Sequence, residues 1–138
     1  MKIMGIDYGD SRVGVALTDS LGITAQGLET IYHKGNDKIV LKRLEELINE
    51  NDVETIVIGI PYLLNGDSSQ RVEITRKFIH KLKCKFNKVE IKEIDERLTT
   101  VAAHKTMNYL GIKSKEKKNI VDTISAVYIL EMYIKNNK

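Results

Sequence analysis

Lys2-Ile3-Met4-Gly5-Ile6-Asp7-Tyr8-Gly9-Asp10-Ser11-Arg12-Val13-Gly14-Val15-Ala16-Leu17-Thr18-Asp19 is the stretch on which the fold turns. Two short apolar runs, Ile3 to Ile6 and Val13 to Leu17, flank a Gly-Asp-Ser turn signal, the pattern of an antiparallel hairpin. Asp7 closes the first run. A carboxylate beside a core must be hydrogen-bonded, paired or metal-bound, because leaving it unsatisfied there is costly. Two readings compete for it: a turn aspartate bonding the backbone of Gly9 or Asp10, or a functional group. Gly5 and Gly9 bracket it and Gly14 lies in the facing run. Glycine in or beside a strand often marks the close approach of another backbone or a ligand.

Outward from the hairpin, Leu28 to Tyr32 reads as a third strand after Gly27. Asn36 or Asp37 caps a helix to about Asn49, with Val40, Leu41, Leu44, Leu47 and Ile48 on one side. Thr55 to Ile60 is a continuous apolar run following a helix, hence a central parallel strand buried on both faces, and Pro61 ends it. Asp67-Ser68-Ser69-Gln70 resembles a capping box opening a second helix through about Lys83, packed through Val72, Ile74, Phe78, Ile79 and Leu82. Lys88 to Ile94 is the next strand. Asp95-Glu96-Arg97-Leu98-Thr99-Thr100 follows, two carboxylates and an arginine ahead of a Thr-capped helix that Gly111 stops. Ile112 to Lys118 reads as a basic linker. The last helix, Asn119 to about Lys135, is apolar around most of its circumference, with Asp122 in its first turn.

A chain of 138 residues makes one domain, spanning 1–138, and is too short for two lobes with a cleft between them. Hydrophobic content of 42% and charged content of 30% are those of a soluble globular protein. No apolar run reaches membrane-spanning length and no basic segment leads into a signal-peptide core, so the expectation is a cytoplasmic protein without a membrane partner. Cys84 is the single cysteine, which excludes an internal disulfide and a cysteine zinc cluster, and His33, His80 and His104 share no ligand spacing. Net charge is only +3, but Lys105, Lys113, Lys115, Lys117 and Lys118 against Glu116 give +4 locally. Such a run is either a solvated loop or a phosphate-contact surface.

Because the strands ending at Asp7, Gly59 and Ile94 are expected to be parallel, Asp7, the Pro61 loop and Asp95-Glu96 should emerge at one sheet edge. Asp95 and Glu96 could instead favour a helix N-terminus, and Asp122 could complete a cap with Asn119. If the carboxylates converge, hard oxygen ligands without Cys or His select Mg²⁺ or Mn²⁺ over zinc. Two such ions about 4 Å apart would activate a water and stabilise the leaving oxygen of a phosphodiester.

These residues also resemble a known family, the YqgF group of bacterial RNase H-like nucleases, also called RuvX. The likeness rests on Gly5-Ile6-Asp7-Tyr8-Gly9 with Arg12-Val13-Gly14-Val15-Ala16, Gly59-Ile60-Pro61 with Gly66, Asp95-Glu96-Arg97-Leu98-Thr99-Thr100, and Asp122 with Ser125-Ala126, and so covers nearly the whole chain. It implies an α/β, RNase H-like mixed five-stranded sheet in the order 3-2-1-4-5, strand 2 antiparallel, with helices on both faces. It implies a metal-dependent nuclease that matures the 5′ end of pre-16S rRNA in ribosome biogenesis or, alternatively, a Holliday junction resolvase. Asp7, Glu96 and Asp122 would be the metal-binding carboxylates, with Asp95 an alternative to Glu96. RuvC-type enzymes carry a second acidic residue in the last helix where Ser125 stands here. Arg12 and Arg97 are expected to orient the phosphate or brace the carboxylates, and Lys113, Lys115, Lys117 and Lys118 to contact nucleic acid. The expected state is a monomer or weak homodimer, a resolvase needing the dimer. A non-catalytic nucleic-acid-binding module is the reading from another class, against which three crowded carboxylates argue.

Overall fold

A computed structural model describes residues 2–62, 69–95 and 114–136, the side chains of 114–122 lying outside that description. Strands β1 (Lys2–Tyr8), β2 (Arg12–Thr18), β3 (Ala25–Tyr32), β4 (Val53–Ile60) and β5 (Glu90–Asp95) form one sheet in the order β3-β2-β1-β4-β5. β2 runs antiparallel to β1 and β3, whereas β1, β4 and β5 are parallel. The sheet order and strand directions are those expected. Helices α1 (Asp37–Asn51) and α2 (Gln70–Lys85) are the links into β4 and β5. Both pack on one face, and α3 (Ser114–Asn136) packs on the other.

Strand alternation decides what each face holds. Met4, Ile6 and Tyr8, with Val13, Val15, Ile56, Ile58 and Ile60, meet Val40, Leu44, Val72, Phe78 and Leu82 of α1 and α2. Full burial of side chains of this size contributes about 1.5–3 kcal/mol each. The α3 face is built from smaller groups, Ala16, Val57 and Ala126, beside Ile129 and Leu130. Gly5 shows why. A Cβ there would lie 2.7 Å from the Ala126 carbonyl oxygen and 2.6 Å from Leu130 Cγ, so the close approach that its glycine signals is that of a helix backbone.

Several boundaries depart from the sequence expectation. β3 begins at Ala25 rather than Leu28, because Gly27 is a strand position lying under Thr123 of α3. Asn36 is the N-cap of α1, its side chain accepting from the Lys38 N–H at 3.1 Å. α1 runs on to Asn51, where Asp52 in the left-handed region donates its N–H to the Ile48 carbonyl. Ser69 caps α2 through the Val72 N–H. Val72 occupies the position a capping box reserves for Glu or Gln, so only half of the expected motif is present.

The largest departure is at α3, which starts at Ser114 and not at Asn119. Much of the expected basic linker is therefore helical. Lysine and glutamate are good helix formers, and nothing from Ser114 to Asn136 is Gly or Pro. Lysines at a helix start oppose the macrodipole, which is why the segment reads as a linker. Asp122 consequently lies beyond the first turn, and the capping role open to it with Asn119 disappears. The helix expected after Thr99 or Thr100 lies outside the described residues. No helix among the described residues is long and apolar enough to cross a membrane.

Candidate active site

Asp7 belongs to β1 and stands opposite Gly14 of β2, so the turn of the hairpin begins two residues after it, at Gly9. There the Gly9 N–H donates to the Arg12 carbonyl at 2.8 Å. Asp7 is half-buried and shares the α3 face with Gly5 by alternation. On its other side, one residue beyond the Ile6–Ile58 pair, β4 presents Gly59. Glycine thus stands beside Asp7 on both neighbouring strands. No side chain from either one crowds the carboxylate across that face.

Helix α3 descends over this face from the Asp7 edge. Ala126 seats its carbonyl oxygen on Gly5, while Ile134 and Lys135 share a hollow with Thr24 and Ala25 at the opposite edge. Asp122 is one turn before Ala126, about 6 Å along the axis. Asp7 is two residues beyond Gly5, about 7 Å along the strand. Thr123, next to Asp122, lies over Gly27 of β3, and Ala16 links Gly27 across β2 to Gly5, so α3 crosses the strands on the face that Asp7 shares. One turn on from Asp122, Ser125 is fully buried and its Oγ has no hydrogen-bond partner among the described residues.

Asp95 ends β5 opposite Ile60 and shares the face of Glu93, which pairs with Arg76 of α2 at 3.1 Å. It leaves the sheet on the face opposite to Asp7. Arg12 opens β2 on the Asp7 face, opposite Tyr32. Lys115, Lys117 and Lys118 fall in the first turns of α3, while Glu96, Arg97 and Lys113 lie outside the described residues. No group of three Asp, Glu, His or Cys able to hold a metal occurs among the described residues, Asp7 and Asp95 being the proposed carboxylates whose side chains are among them. The donors that the sheet and helix supply here, a carboxylate and a buried unpartnered hydroxyl, are oxygen atoms and fit a hard cation.

Behind Asp7, on the α1 and α2 face, lies a support that sequence reasoning missed. Tyr8 stacks between Phe78 at 4.1 Å and His33 at 5.7 Å between ring centroids. Its hydroxyl donates to Asp37 Oδ1 at 2.5 Å, and Asp37 Oδ2 accepts from Lys81 at 2.8 Å. Burial first, and then the bond to Asp37, hold the phenol well above the ordinary tyrosine range. His33 is buried, its Nδ1 accepting from the Gly35 N–H at 3.0 Å and its Nε2 3.0 Å from the Gly9 carbonyl. That pairing assigns the neutral tautomer with the proton on Nε2, donated to Gly9. The His33 backbone N–H donates to Ser11, and Arg71 donates to the Tyr8 carbonyl at 3.0 Å and pairs with Asp10. Four consecutive residues of the hairpin end are thereby tied down. Only a lone histidine and an unremarked arginine signalled it, because their acceptors are 24 and 63 residues away.

The family model described as "RuvX: Holliday junction resolvase" matches residues 1–136. A protein of Ruminiclostridium cellulolyticum named "Putative pre-16S rRNA nuclease" is 54% identical over 97% of this chain and 94% of its own length. One of the same name from Acetivibrio thermocellus is 48% identical over 97% of this chain and 95% of its own. Among solved structures, Thermus thermophilus RuvC in complex with a Holliday junction substrate is similar with a TM-score of 0.59 at 13% identity, over 99% of this chain and 96% of that one. The fowlpox virus Holliday junction resolvase gives 0.56 at 14% identity over 100% of both chains. At these identities the likeness is one of fold, the RNase H-like mixed sheet with helices on both faces.

Proposed function

This chain belongs to the RuvX family, and from that premise we propose that it is a metal-dependent nuclease that hydrolyses phosphodiester bonds at the 5′ end of pre-16S rRNA. A hydrolase acting on nucleic acid is what the family itself supports; the metal and the substrate are the further steps. The observation that supports them is the setting of Asp7, half-buried, flanked by Gly14 and Gly59 and on the sheet face that α3 covers. A carboxylate with glycine opposite it on both neighbouring strands has room beside it for a ligand.

Asp7, Glu96 and Asp122 would hold Mg²⁺ or Mn²⁺. Glu96 is preferred to Asp95 because Asp95 shares the face of Glu93 and Ile60, away from Asp7. The Ser125 hydroxyl, one turn from Asp122, is a further oxygen donor on this helix. When bound, the metal supplies an activated water and charge neutralisation at the leaving oxygen. The chain itself excludes bulk water from the inner side with Ala126, Ile129 and Leu130 and orients the phosphate through Arg12 and Arg97. Lys113, Lys115, Lys117 and Lys118 contact neighbouring phosphates, where a helix start also favours an anion. We take residues 1–138 as one nuclease domain, acting in the cytoplasm as a monomer or weak homodimer.

The family model's description favours a second reading, resolution of a four-way DNA junction. Cleavage of labelled pre-16S rRNA beside such a junction, with Mg²⁺, with Mn²⁺ and with chelator, tests both. Preferred, metal-dependent cleavage of the RNA is expected. Preference for the junction would select the second reading, and binding without cleavage of either would make the chain a nucleic-acid-binding module.

A further inference from the structure

We infer that Tyr32 is a stacking platform for an unpaired nucleobase next to the phosphate that would be cleaved at the Asp7 edge, which makes single-stranded nucleic acid the substrate class. The inference rests on the nuclease reading of the Asp7 edge. Tyr32 is the last residue of β3, the outermost strand on its side, and is 55% exposed. Its neighbour Ile31 belongs to the core under α1 and α2, so alternation sends Tyr32 to the face of Asp7. β3 ends at the edge where β1 ends, since β2 is antiparallel to both. Two strand spacings, about 10 Å, separate Asp7 from Thr30 across Gly14, and Tyr32 lies two residues farther toward the open edge, about 7 Å.

The position also has the right companion. Arg12 stands directly opposite Tyr32 on β2 and lies between it and Asp7. An exposed ring beside a cation, along a path of phosphates, is the composition by which single strands are held. Every base offers a π-face, so the contact tolerates sequence. A base in a duplex is already stacked on its neighbours, and side chains do not enter the deep groove of A-form RNA. Leu21 and Ile23, more exposed still than Tyr32, lie at the β2–β3 turn, on the opposite sheet edge, and have no part in this.

Titration of the intact protein with oligonucleotides carrying one fluorescent 2-aminopurine tests the inference, with single-stranded RNA, single-stranded DNA and the corresponding duplexes as arms. The parent and Tyr32→Phe should bind single strands and quench the base. Tyr32→Ala and Tyr32→Leu should lose about tenfold in single-strand affinity and lose the quench, with duplex affinity unchanged. Leucine keeps apolar bulk on the strand, so its unfolding temperature should match the parent and separates stacking from folding. The RNA and DNA arms identify which strand supplies the base. Equal single-strand affinity in Tyr32→Ala and the parent, or a loss confined to duplex, overturns the inference and leaves the nuclease reading standing. A parent that binds no oligonucleotide overturns both.

Discussion

Asp7 and Tyr8 are adjacent in the chain and belong to opposite worlds. Tyr8 faces a layer that holds its ring and its hydroxyl, stacked between Phe78 and His33 and bonded to Asp37. Asp7 faces a layer of small groups, with glycine on both neighbouring strands and a helix backbone against Gly5. The period of two along a strand is what divides the work. One face fixes the hairpin end in place, and the other presents a carboxylate that the first face has positioned. The difference teaches that a rigid site need not be rigid through its own contacts.

Breaking the open face should abolish chemistry and spare the fold. Asp7→Asn keeps the shape but loses the charge that holds a cation, so metal-dependent cleavage should fall by orders of magnitude while oligonucleotide binding survives. Melting temperature should stay the same or rise slightly, because in the proposed site Asp7 would repel the like charges of Glu96 and Asp122. Activity and thermal unfolding, with and without Mg²⁺, decide the matter. An active variant, or one inactive only because it unfolds, would erase the contrast.

Gly5→Ala should damage both properties. Leu130 can rotate away from the new methyl, but the Ala126 carbonyl cannot, so α3 must lift. Overpacking of this kind costs about 1–3 kcal/mol. Cleavage should fall further than stability explains, because the Asp122 position rises with the helix. Denaturant unfolding and single-turnover cleavage on the same preparation would separate the two losses.

Tyr8→Phe attacks the closed face alone. It removes the bond to Asp37, whose side chain is only 16% exposed, and leaves Lys81 as that carboxylate's partner. A hydrogen bond to a charged group is worth about 1.5–3 kcal/mol. Denaturation midpoints should drop accordingly, and cleavage well below the midpoint should remain near the parent's. A variant that loses activity without losing stability would show that the closed face takes part in the chemistry.

The smallest effect belongs at the far edge of the sheet. Asp19 is held below the ordinary carboxylate range, first by the Ile23 N–H and also by the Thr24 hydroxyl. A depressed folded value means that its contribution is present above the unfolded value of 3.8 and is lost as pH falls from there through the lower folded value. Asp19→Asn should therefore flatten acid unfolding slightly and leave cleavage untouched. A change in cleavage would link the two edges.

The parts legible in the sequence were those written in local periods. Alternation in β1 and β2, the apolar run of β4 and the helical spacing of α1 and α2 gave the elements, and the motif blocks gave the sheet order. Of the candidate site, the glycines around Asp7 are legible in the sequence, but alternation in β5 is needed to set Asp95 on the other face. The start of α3 was misjudged because charge at its first turn conflicts with helix propensity, and composition favours propensity only in the context of the packed helix. His33, Asp37 and Arg71 were invisible, since their bonds span 24, 29 and 63 residues and depend on the folded topology.

The seat of α3 also sets how freely this molecule could be rewritten. The face under α1 and α2 is filled with large side chains, and a core of that kind accepts exchanges that conserve volume by letting rotamers readjust. Under α3 the gap is set by main chain against main chain at Gly5 and by a Cβ only 3.1 Å from Thr123 at Gly27. At Gly5 the Ala126 carbonyl is main chain, and no rotamer change moves it. A randomised library selected for folding would therefore return many answers at Met4, Ile6 or Leu82 and almost one answer at Gly5, although all of them are equally hidden from water.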